Sequence, residues 1–352
     1  CYEIDNCYSC YNLRWSRNCN NCSDSVFLLD CIGCKDCLFC VNLHHKQYCI
    51  LNEQYTKEEY EQKKAECDLS SHAVVEQMRQ RFDEFSLQHP RKYMSAVQYE
   101  NCTGNFVQNC KNCRDCYHAH DAEDCAYGEH VWRNAKDCRD VITAGRDAFK
   151  IYESSNTNIG AGEDAFTHQC WGSFNTYYSS ECVYCKHCFG CVSLKNAQYC
   201  IFNRQFEPQE YEETVAKIIE HMIETKEWGE FFPASISMFG YNESMASEYD
   251  PMTKEEVLAK GWTWFEESEP SEQYLGPETV VPDSIHDVPD DMVSKILYCE
   301  ASGKPYKLIA QELELYKTLG IPIPRLCPNE RHRRRMKQRN PLQLWDRECV
   351  QC

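Results

Sequence analysis

The 352-residue chain carries 37 basic and 55 acidic residues, a formal net charge of −18, so its surface as a whole should repel nucleic acid and acidic membranes. Cysteine supplies 27 residues, which indicates metal sites, disulfides or buried thiols, and the length predicts two or three domains. No window is apolar enough for a membrane span and no signal peptide is visible.

The cysteines divide the chain into five regions. Ten lie in the first 49 positions, twelve between 102 and 200, and four after 298, with an isolated one at Cys67. The chain starts without Met and ends on the second Cys of a C-x-x-C pair, so we expect a longer protein. We predict a first cysteine array at 1–55, a helical insert at 56–94, a second array at 95–206, a helix and connector at 207–290, and a truncated C-terminal zinc-module-like segment at 291–352.

In the first array, all ten cysteines are separated by multiples of three. Cys7, Cys19 and Cys31 recur every twelve residues, each followed three residues later by another cysteine. A period of three fits neither a flat strand nor a helix. Two compatible geometries would bring the side chains together: a narrow β-solenoid with an internal ladder of stacked residues, and the C-x-x-C knuckle, in which two sulfurs converge on one metal.

Asn or Asp stands directly before many of these cysteines, which favours the solenoid. Asx residues tolerate left-handed backbone and close their own turns, as a corner requires, while the small cysteine side chain that follows can point inward. Six dipeptides in the two arrays show this pattern: Asn6-Cys7, Asn18-Cys19, Asp30-Cys31, Asn109-Cys110, Asp124-Cys125 and Asp137-Cys138.

A helix is predicted directly after each array. Thr56 and Glu59 form a capping box that opens a helix after the first array, and a second amphipathic helix follows near 71–87. After the second array, Pro208 stands in the first turn of the matching helix. We expect these helices to lie against the end of each array and to cover its open end.

The second array ends on a copy of the end of the first. Residues 30–60 recur at 181–211 without a gap, and 15 of the 31 aligned positions are identical. A duplicated segment is a structural unit, so we predict that each copy closes an array. The recurring residues, in the numbering of the first copy, are Cys31, Cys34, Lys35, Cys37, Cys40, Val41, Leu43, Gln47, Tyr48, Cys49, Ile50, Asn52, Gln54, Glu59 and Tyr60.

Each copy contains a run of four cysteines spaced by three, the most specific chemical signal in the chain. Four thiolates within reach of one another predict structural zinc. An iron–sulfur cluster is an alternative, although the spacing before the fourth Cys is one residue short and no Pro follows it. Stacked buried thiols and disulfides are two further alternatives. The candidate metal ligands of the arrays are Cys7, Cys10, Cys19, Cys22, Cys31, Cys34, Cys37, Cys40, Cys110, Cys113, Cys116, Cys182, Cys185, Cys188 and Cys191.

Catalytic signals are weak throughout the chain. No activated nucleophile, phosphate-cradling Gly loop or dinucleotide fingerprint stands out. Five histidines beside cysteines could complete a Cys₃His site, or are surface imidazoles: His44, His45, His118, His120 and His187. We therefore predict a protein that is not an enzyme.

The C-terminal segment carries a family resemblance. Tyr298-Cys299-Glu-Ala-Ser302-Gly-Lys-Pro, followed by Pro324-Arg325-Leu-Cys327-Pro-Asn-Glu330-Arg331-His332, resembles the C-x-x-C-G-K … P-R-x-C-P-x-C-R-H zinc modules of uncharacterised cysteine-rich proteins of candidate-phyla bacteria. The array unit resembles the same proteins. The resemblance implies a zinc-ribbon-like module with Cys299 and Cys327 as ligands, but Ser302 and Glu330 replace the second Cys of each pair. Cys349 and Cys352 look like the first half of another site.

A basic segment follows Cys327 in this otherwise acidic chain. It can grip phosphates, as basic segments on zinc modules do, or it can pair with the protein's own carboxylates or with an acidic partner. Its candidate binding residues are Arg331, Arg333, Arg334, Arg335, Lys337 and Arg339.

The whole chain therefore predicts an α+β fold, with cysteine-ladder β-solenoid-like arrays, capping helices and a small C-terminal zinc-ribbon-like or treble-clef-like module. We expect a non-enzymatic, zinc-stabilised repeat scaffold that binds protein or nucleic acid and not membranes, in the cytoplasm, and able to form homo-oligomers. An iron–sulfur electron-transfer protein is one alternative. A disulfide-rich extracellular or cell-surface structural protein is another.

Overall fold

A computed structural model describes residues 1–128, 132–139, 163–266, 279–340, 344–346 and 348. Over these ranges the protein is α+β, with several β-sheets and seven α-helices. It divides into two compact units. The first holds Cys1–Arg91 and the described part of Ser268–Arg339, and the second holds the described parts of Lys92–Glu267 and Asn340–Cys352. The C-terminal segment up to Arg339 thus belongs with the first array, together with residues 279–290 at the end of the predicted connector, and the connector up to residue 266 belongs with the second.

The first array forms one sheet. Its strands are β1 (Tyr2–Asp5), β2 (Arg14–Arg17), β3 (Val26–Leu29), β4 (Lys35–Val41), β5 (Gln47–Ile50) and β6 (Glu53–Gln54). Strands β1 to β5 pair in parallel in chain order, and each residue pairs with the one twelve positions later, as Arg14 does with Val26 and Val26 with Leu38. Strand β6 turns back antiparallel to β5. The predicted twelve-residue period is therefore the repeat of the sheet, here called a rung.

The second array is less regular at its start. Its strands are β7 (Ala96–Glu100), β8 (Gly104–Asn105), β9 (Val107–Lys111), β10 (Cys116–Tyr117), β11 (His120–Glu123), β12 (Trp132–Lys136), β13 (Phe174–Tyr177), β14 (Lys186–Phe189), β15 (Gln198–Ile201) and β16 (Arg204–Gln205). The parallel offset is twelve from β13 to β15, but β7 pairs with β9 at an offset of eleven. The offset between β11 and β12 rises by one between His120 and Ala122. These shifts are why Cys102 and Cys138 break the spacing of three.

Left-handed backbone recurs at nearly every third residue of both arrays. All six Asx residues predicted as corners adopt it, with φ between 48° and 56°. That prediction is confirmed. Each set of three consecutive residues, here called a triplet, has one inward residue, one outward residue and one left-handed corner residue. Four triplets make a rung. Along one corner the Asn6 amide donates to Asn18 at 3.0 Å and the Asn18 amide donates to Asp30 at 3.1 Å, which links successive rungs.

The inward residues are small and almost completely buried. Cysteine, serine and leucine fill most of these positions in the first array, including Cys31, Ser16 and Leu28, each fully buried. In the second array Cys182 and Cys191 are equally buried. Side chains of this size fit because four inward residues of one rung must share the narrow interior.

The helices follow the arrays as predicted. Helices α1 (Lys57–Ala65) and α2 (His72–Leu87) come after the first array, and the capping box of Thr56 and Glu59 is present. After the second array come α3 (Pro208–Glu224), α4 (Ala246–Tyr249) and α5 (Lys254–Ala259). Tyr60 of α1 packs 5.6 Å from the Tyr48 ring, and Tyr211 of α3 packs 5.7 Å from Tyr199, so each helix covers the last rung of its array. Among the described helices, none has the length and apolarity to span a membrane.

A stack of aromatic rings joins the first array to α2. Trp15, Phe27 and Phe39 occupy left-handed corners of successive rungs, with ring centroids 5.1 and 5.2 Å apart. Phe82 of α2 packs 5.6 Å from Phe27. Because large L-residues are costly in left-handed backbone, this packing must outweigh the strain.

The C-terminal segment packs on the first array within the same unit. It contains β17 (Leu297–Tyr298), β18 (Pro305–Tyr306), α6 (Ala310–Leu319) and α7 (Pro328–Met336). Tyr316 of α6 meets Tyr2 edge-on at 5.4 Å. Arg14 donates to the Leu319 carbonyl at 2.9 Å, and Arg17 donates to the Gln338 carbonyl at 3.1 Å. One hydrophobic cluster therefore includes the array, α2 and the C-terminal helices.

Gly172 offers a test of the corner geometry. It has φ +61°, and a Cβ there would lie 2.5 Å from the Tyr184 ring of the next rung. We expect Gly172→Ala to lower the free energy of unfolding by about 2 kcal/mol or more, since left-handed strain alone costs about 1–2 kcal/mol. Urea unfolding measures this. In a Tyr184→Ala background the clash is removed, so Gly172→Ala should lower the free energy of unfolding by less. An equal loss in both backgrounds would contradict the contact between Gly172 and the Tyr184 ring.

Candidate functional site in the cysteine ladders and the C-terminal module

Most inner thiols are directed at backbone carbonyl groups. The Cys31 sulfur lies 3.4 Å from the Leu29 oxygen in its own rung and 3.5 Å from the Cys40 oxygen further along. In the second array, Cys182 lies 3.5 Å from the Ser180 oxygen and 3.6 Å from the Cys191 oxygen. A protonated thiol is a weak donor to such oxygens, whereas a thiolate would be repelled by both.

The same sulfurs also accept backbone hydrogen bonds from the next rung. The Cys22 N–H donates to the Cys10 sulfur at 3.5 Å, and the Cys34 N–H donates to the Cys22 sulfur at 3.4 Å. Serine takes the same place in the ladder: the Ser16 hydroxyl donates to the Arg14 carbonyl at 2.9 Å and accepts from the Leu28 N–H at 3.1 Å. Thiol and hydroxyl thus satisfy inward backbone groups that would otherwise be buried without a partner.

The predicted four-cysteine run forms one complete rung. Cys31, Cys34, Cys37 and Cys40 are its four inward residues, and the run from Cys182 to Cys191 does the same in the second array. Hydrogen bonds from the Cys22, Cys31 and Cys37 thiols lower the pKa of Cys34. The bond that Cys37 donates in turn raises the pKa of Cys37. The sulfurs of a rung therefore lie close enough to influence one another's pKa.

Burial adds to the cost of ionising these thiols. Burial is the largest cause that raises the pKa of Cys49, Cys185 and Cys200. A zinc ligand must be a thiolate, so sulfurs turned towards carbonyls in a buried ladder do not fit a metal site well. Over the residues that the structure describes, no group of three or more His, Cys, Asp or Glu side chains is placed to hold a metal ion. No disulfide joins the cysteines in the same ranges.

The candidate array ligands therefore occupy ladder positions. The buried ones are Cys19, Cys22, Cys31, Cys34, Cys37, Cys40, Cys110, Cys113, Cys116, Cys182, Cys185, Cys188 and Cys191, while Cys7 and Cys10 in the first rung are partly exposed. Two of the five histidines stack on aromatic rings of the neighbouring rung: His118 on Phe106 at 4.8 Å and His187 on Tyr199 at 4.8 Å.

The C-terminal module brings two thiols and a hydroxyl together. Cys299 follows β17 and Cys327 precedes α7, and both are buried. The Ser302 hydroxyl lies 3.9 Å from the Cys327 sulfur. Burial opposes ionisation of Cys299, but the Ser302 hydroxyl and the N–H groups of Cys327, Ser302 and Ala301 stabilise its thiolate, and the net effect lowers the pKa of Cys299 to about 7.

Glu330, which replaces the fourth cysteine of the module, pairs with Arg333. The module thus assembles Cys299, Ser302 and Cys327, and no group of three or more His, Cys, Asp or Glu side chains among the described residues is placed there to hold a metal ion. This arrangement suits a stabilised thiolate better than a four-ligand zinc site. The other predicted pair, Cys349 and Cys352, lies outside the described residues.

The basic segment is largely engaged inside its own unit. Arg331 donates to Glu312 at 2.7 Å and to the Tyr316 hydroxyl at 3.0 Å, and Arg334 pairs with Glu76 of α2. Arg333 pairs with Glu330, and Arg339 lies 4.0 Å from Asp5. The structure therefore favours pairing with the protein's own carboxylates for these four arginines. Over the described residues, Arg335 and Lys337 form no hydrogen bond or ion pair through their side chains.

Sequence reasoning missed the residues that hold the C-terminal segment to the array. Arg14 and Arg17 of the array donate to carbonyls of that segment. Arg79 of α2 pairs with Glu3 of β1 at 3.0 Å, which likewise has no sequence signal. One sequence signal could have indicated where α2 packs. Trp15, Phe27 and Phe39 are spaced by twelve, and each lies two residues after an inward position, so large rings recur at the same corner of three rungs.

Comparison with known proteins gives no match to any family model, curated protein or solved structure. The resemblance to cysteine-rich proteins of candidate-phyla bacteria stays a prediction.

The thiol ladders predict a pH dependence of stability. Most of the array thiols whose pKa is shifted have a pKa above the ordinary value in the folded protein. As the pH rises, the thiols of the unfolded chain, with pKa values of about 8.5, therefore lose their protons before those of the folded protein. The thiols contribute fully to stability below about pH 8.5, and this contribution declines as the pH rises further. Under reducing conditions, we expect the urea concentration at the midpoint of unfolding to decrease as the pH is raised from about 7.5 to about 9.5. Zinc thiolates predict a rise instead, because metal binding releases protons.

Arg331 and Arg335 make a matched pair for testing the basic segment. The Arg331 side chain is 12 % exposed and its partner Glu312 is 21 % exposed. We expect Arg331→Ala to lower the free energy of unfolding by roughly 2–3 kcal/mol, because the partly buried Glu312 carboxylate loses its cation and keeps only the weaker, neutral Tyr316 hydroxyl as a described donor. Arg335→Ala should change it by less than about 0.5 kcal/mol. Equal effects in denaturant unfolding would contradict the assignment.

Proposed function

We propose that this chain is a non-enzymatic binding scaffold. Two narrow β-solenoids, each closed by a helix, would present outward rows of side chains to a partner, and the C-terminal module would brace the first solenoid in a zinc-ribbon-like or treble-clef-like arrangement. The observation that carries the proposal is the twelve-residue parallel register with left-handed corners, which commits one residue in three to the interior. Such repeats commonly serve as extended binding surfaces.

The interior of the scaffold would be built on stacked thiols. The carbonyl-directed sulfurs and the interchange of Cys with Ser support this alternative over zinc for the arrays. A serine cannot replace a zinc-bound cysteine without loss of a thiolate, yet Ser16, Ser25 and Ser179 take ladder positions with the same hydrogen bonds. Because unpaired thiols persist in a reducing compartment, this proposal includes a cytoplasmic location.

Elemental analysis by mass spectrometry, with thiols counted in parallel, tests the proposal on protein purified without added metal. We expect substoichiometric zinc, no iron, nearly all 27 cysteines reactive after denaturation, and a melting temperature that a chelator does not change.

Three other results would each overturn the thiol interior. Zinc at one or more per chain, with a melting temperature lowered by chelator, would restore the zinc-built scaffold. Iron with sulfide, and absorbance near 400 nm, would indicate an electron carrier. Few reactive thiols without metal would indicate a disulfide-linked protein from outside the cytoplasm.

A further inference from the structure

One corner of the second array, with the two sides that meet at it, exposes three aromatic rings. Trp171 and Phe174 are outward residues on either side of Gly172, with exposed fractions of 49 % and 41 %. Tyr184, at the same corner in the next rung, is 62 % exposed. In the part of the chain that the structure describes, helix α3 packs elsewhere, against Phe189 and Ile201.

The Tyr184 ring lies against the backbone of the neighbouring rung. A Cβ at Gly172 would be 2.5 Å from ring carbon Cδ1 and 2.6 Å from Cε1. The glycine therefore leaves room for one edge of the ring, while the ring stays 62 % exposed. A ring fixed in this way offers a stacking surface at a low cost in side-chain entropy.

Two lysines continue the rows of the two outward rings. Lys186 pairs through its backbone with Phe174 in the parallel register. Lys195 lies in the row of Trp171, two rungs further along. Both are exposed, and over the described residues neither side chain forms an ion pair or hydrogen bond. We name the set Trp171, Phe174, Tyr184, Lys186 and Lys195 the lysine–aromatic face.

The internal duplication singles out one of these lysines. Lys186 aligns with Lys35 of the first copy, which is also exposed and also makes no described side-chain contact. The other recurring residues that are exposed in the first copy each have a partner there: Gln47 donates to Asp36, Gln54 donates to the Gln47 carbonyl, and Glu59 accepts from the Thr56 N–H. A lysine kept in both copies without an internal partner points to an external anion.

We infer that the lysine–aromatic face binds single-stranded nucleic acid, with bases stacked on Trp171, Phe174 and Tyr184 and phosphates beside Lys186 and Lys195. The inference rests on the proposed scaffold function and names its partner. Stacking rings combined with unpaired cations are the two elements of single-strand recognition, whereas an acidic peptide would need the lysines alone. Glu181 flanks the face and accepts a hydrogen bond from the Ser193 hydroxyl at 3.1 Å. The charge of −18 disfavours any broader contact, so duplex binding should be weaker.

Fluorescence anisotropy with a labelled oligothymidylate of about twelve nucleotides and the full chain tests this inference. We expect weak, salt-dependent binding, with a slope of log K against log salt of about −1.4 for two phosphate contacts on a single strand. Tyr184→Ala should weaken binding roughly 5- to 150-fold, the range for loss of one stacked base. Lys186→Ala should reduce the slope by about 0.7.

The chain supplies matched controls for both changes. Phe202 is 63 % exposed and its ring covers Gly190 as Tyr184 covers Gly172, but it lies on the corner row shared with Phe166 and Tyr178, away from the face. Phe202→Ala and Lys217→Ala, on the exposed side of α3, should leave binding unchanged. Thermal unfolding of each variant confirms that the array is folded.

Three outcomes overturn the inference. These are no binding at low salt, equal loss in Tyr184→Ala and Phe202→Ala, and polyglutamate competing as well as the oligonucleotide, which would indicate an acidic protein partner. All three leave the thiol-ladder scaffold standing, because metal content and thiol reactivity test that proposal separately.

Discussion

The fold depends on one hydrogen bond that recurs in rung after rung, from a buried thiol or hydroxyl to the backbone. With left-handed residues at nearly every third position, some N–H and C=O groups of each rung turn inward, where water has no access. A small side chain that both donates and accepts satisfies them, as Ser16 and Cys22 do. Leucine fills the same space at Leu13 and Leu28 but cannot donate or accept, which limits how often it can occur in the ladder.

The local rules of the arrays were readable from the sequence, because each one acts within a triplet. Asx before Cys predicted the corners, and the capping box of Thr56 and Glu59 predicted α1. The aromatic corner of Trp15, Phe27 and Phe39 was not predictable in this way. Nothing local favours a large ring in left-handed backbone. The three rings stack on one another across successive rungs, and Phe27 and Phe39 also pack on Phe82, 43 residues beyond Phe39.

The candidate site was harder to predict than the fold. Spacing places cysteines in reach of one another, but it does not tell whether a sulfur faces a metal or a carbonyl. That choice depends on backbone direction at positions nine and twelve residues away. In the C-terminal module, Ser302 was recognised as a departure from a zinc pattern, yet its contact with Cys327 and the thiolate-stabilising N–H groups around Cys299 need the tertiary structure.

The triplet organisation also constrains how the gene can change. Loss or gain of one residue in a rung would move every following inward residue to an outward or corner position. An array therefore keeps its interior only when insertions and deletions preserve the three-residue register. Changes of twelve add or remove a whole rung and keep every row in place. Single-residue changes survive only where the pairing absorbs them, as between His120 and Ala122. Such joints are where the lineage of this protein could have spliced arrays of unequal length.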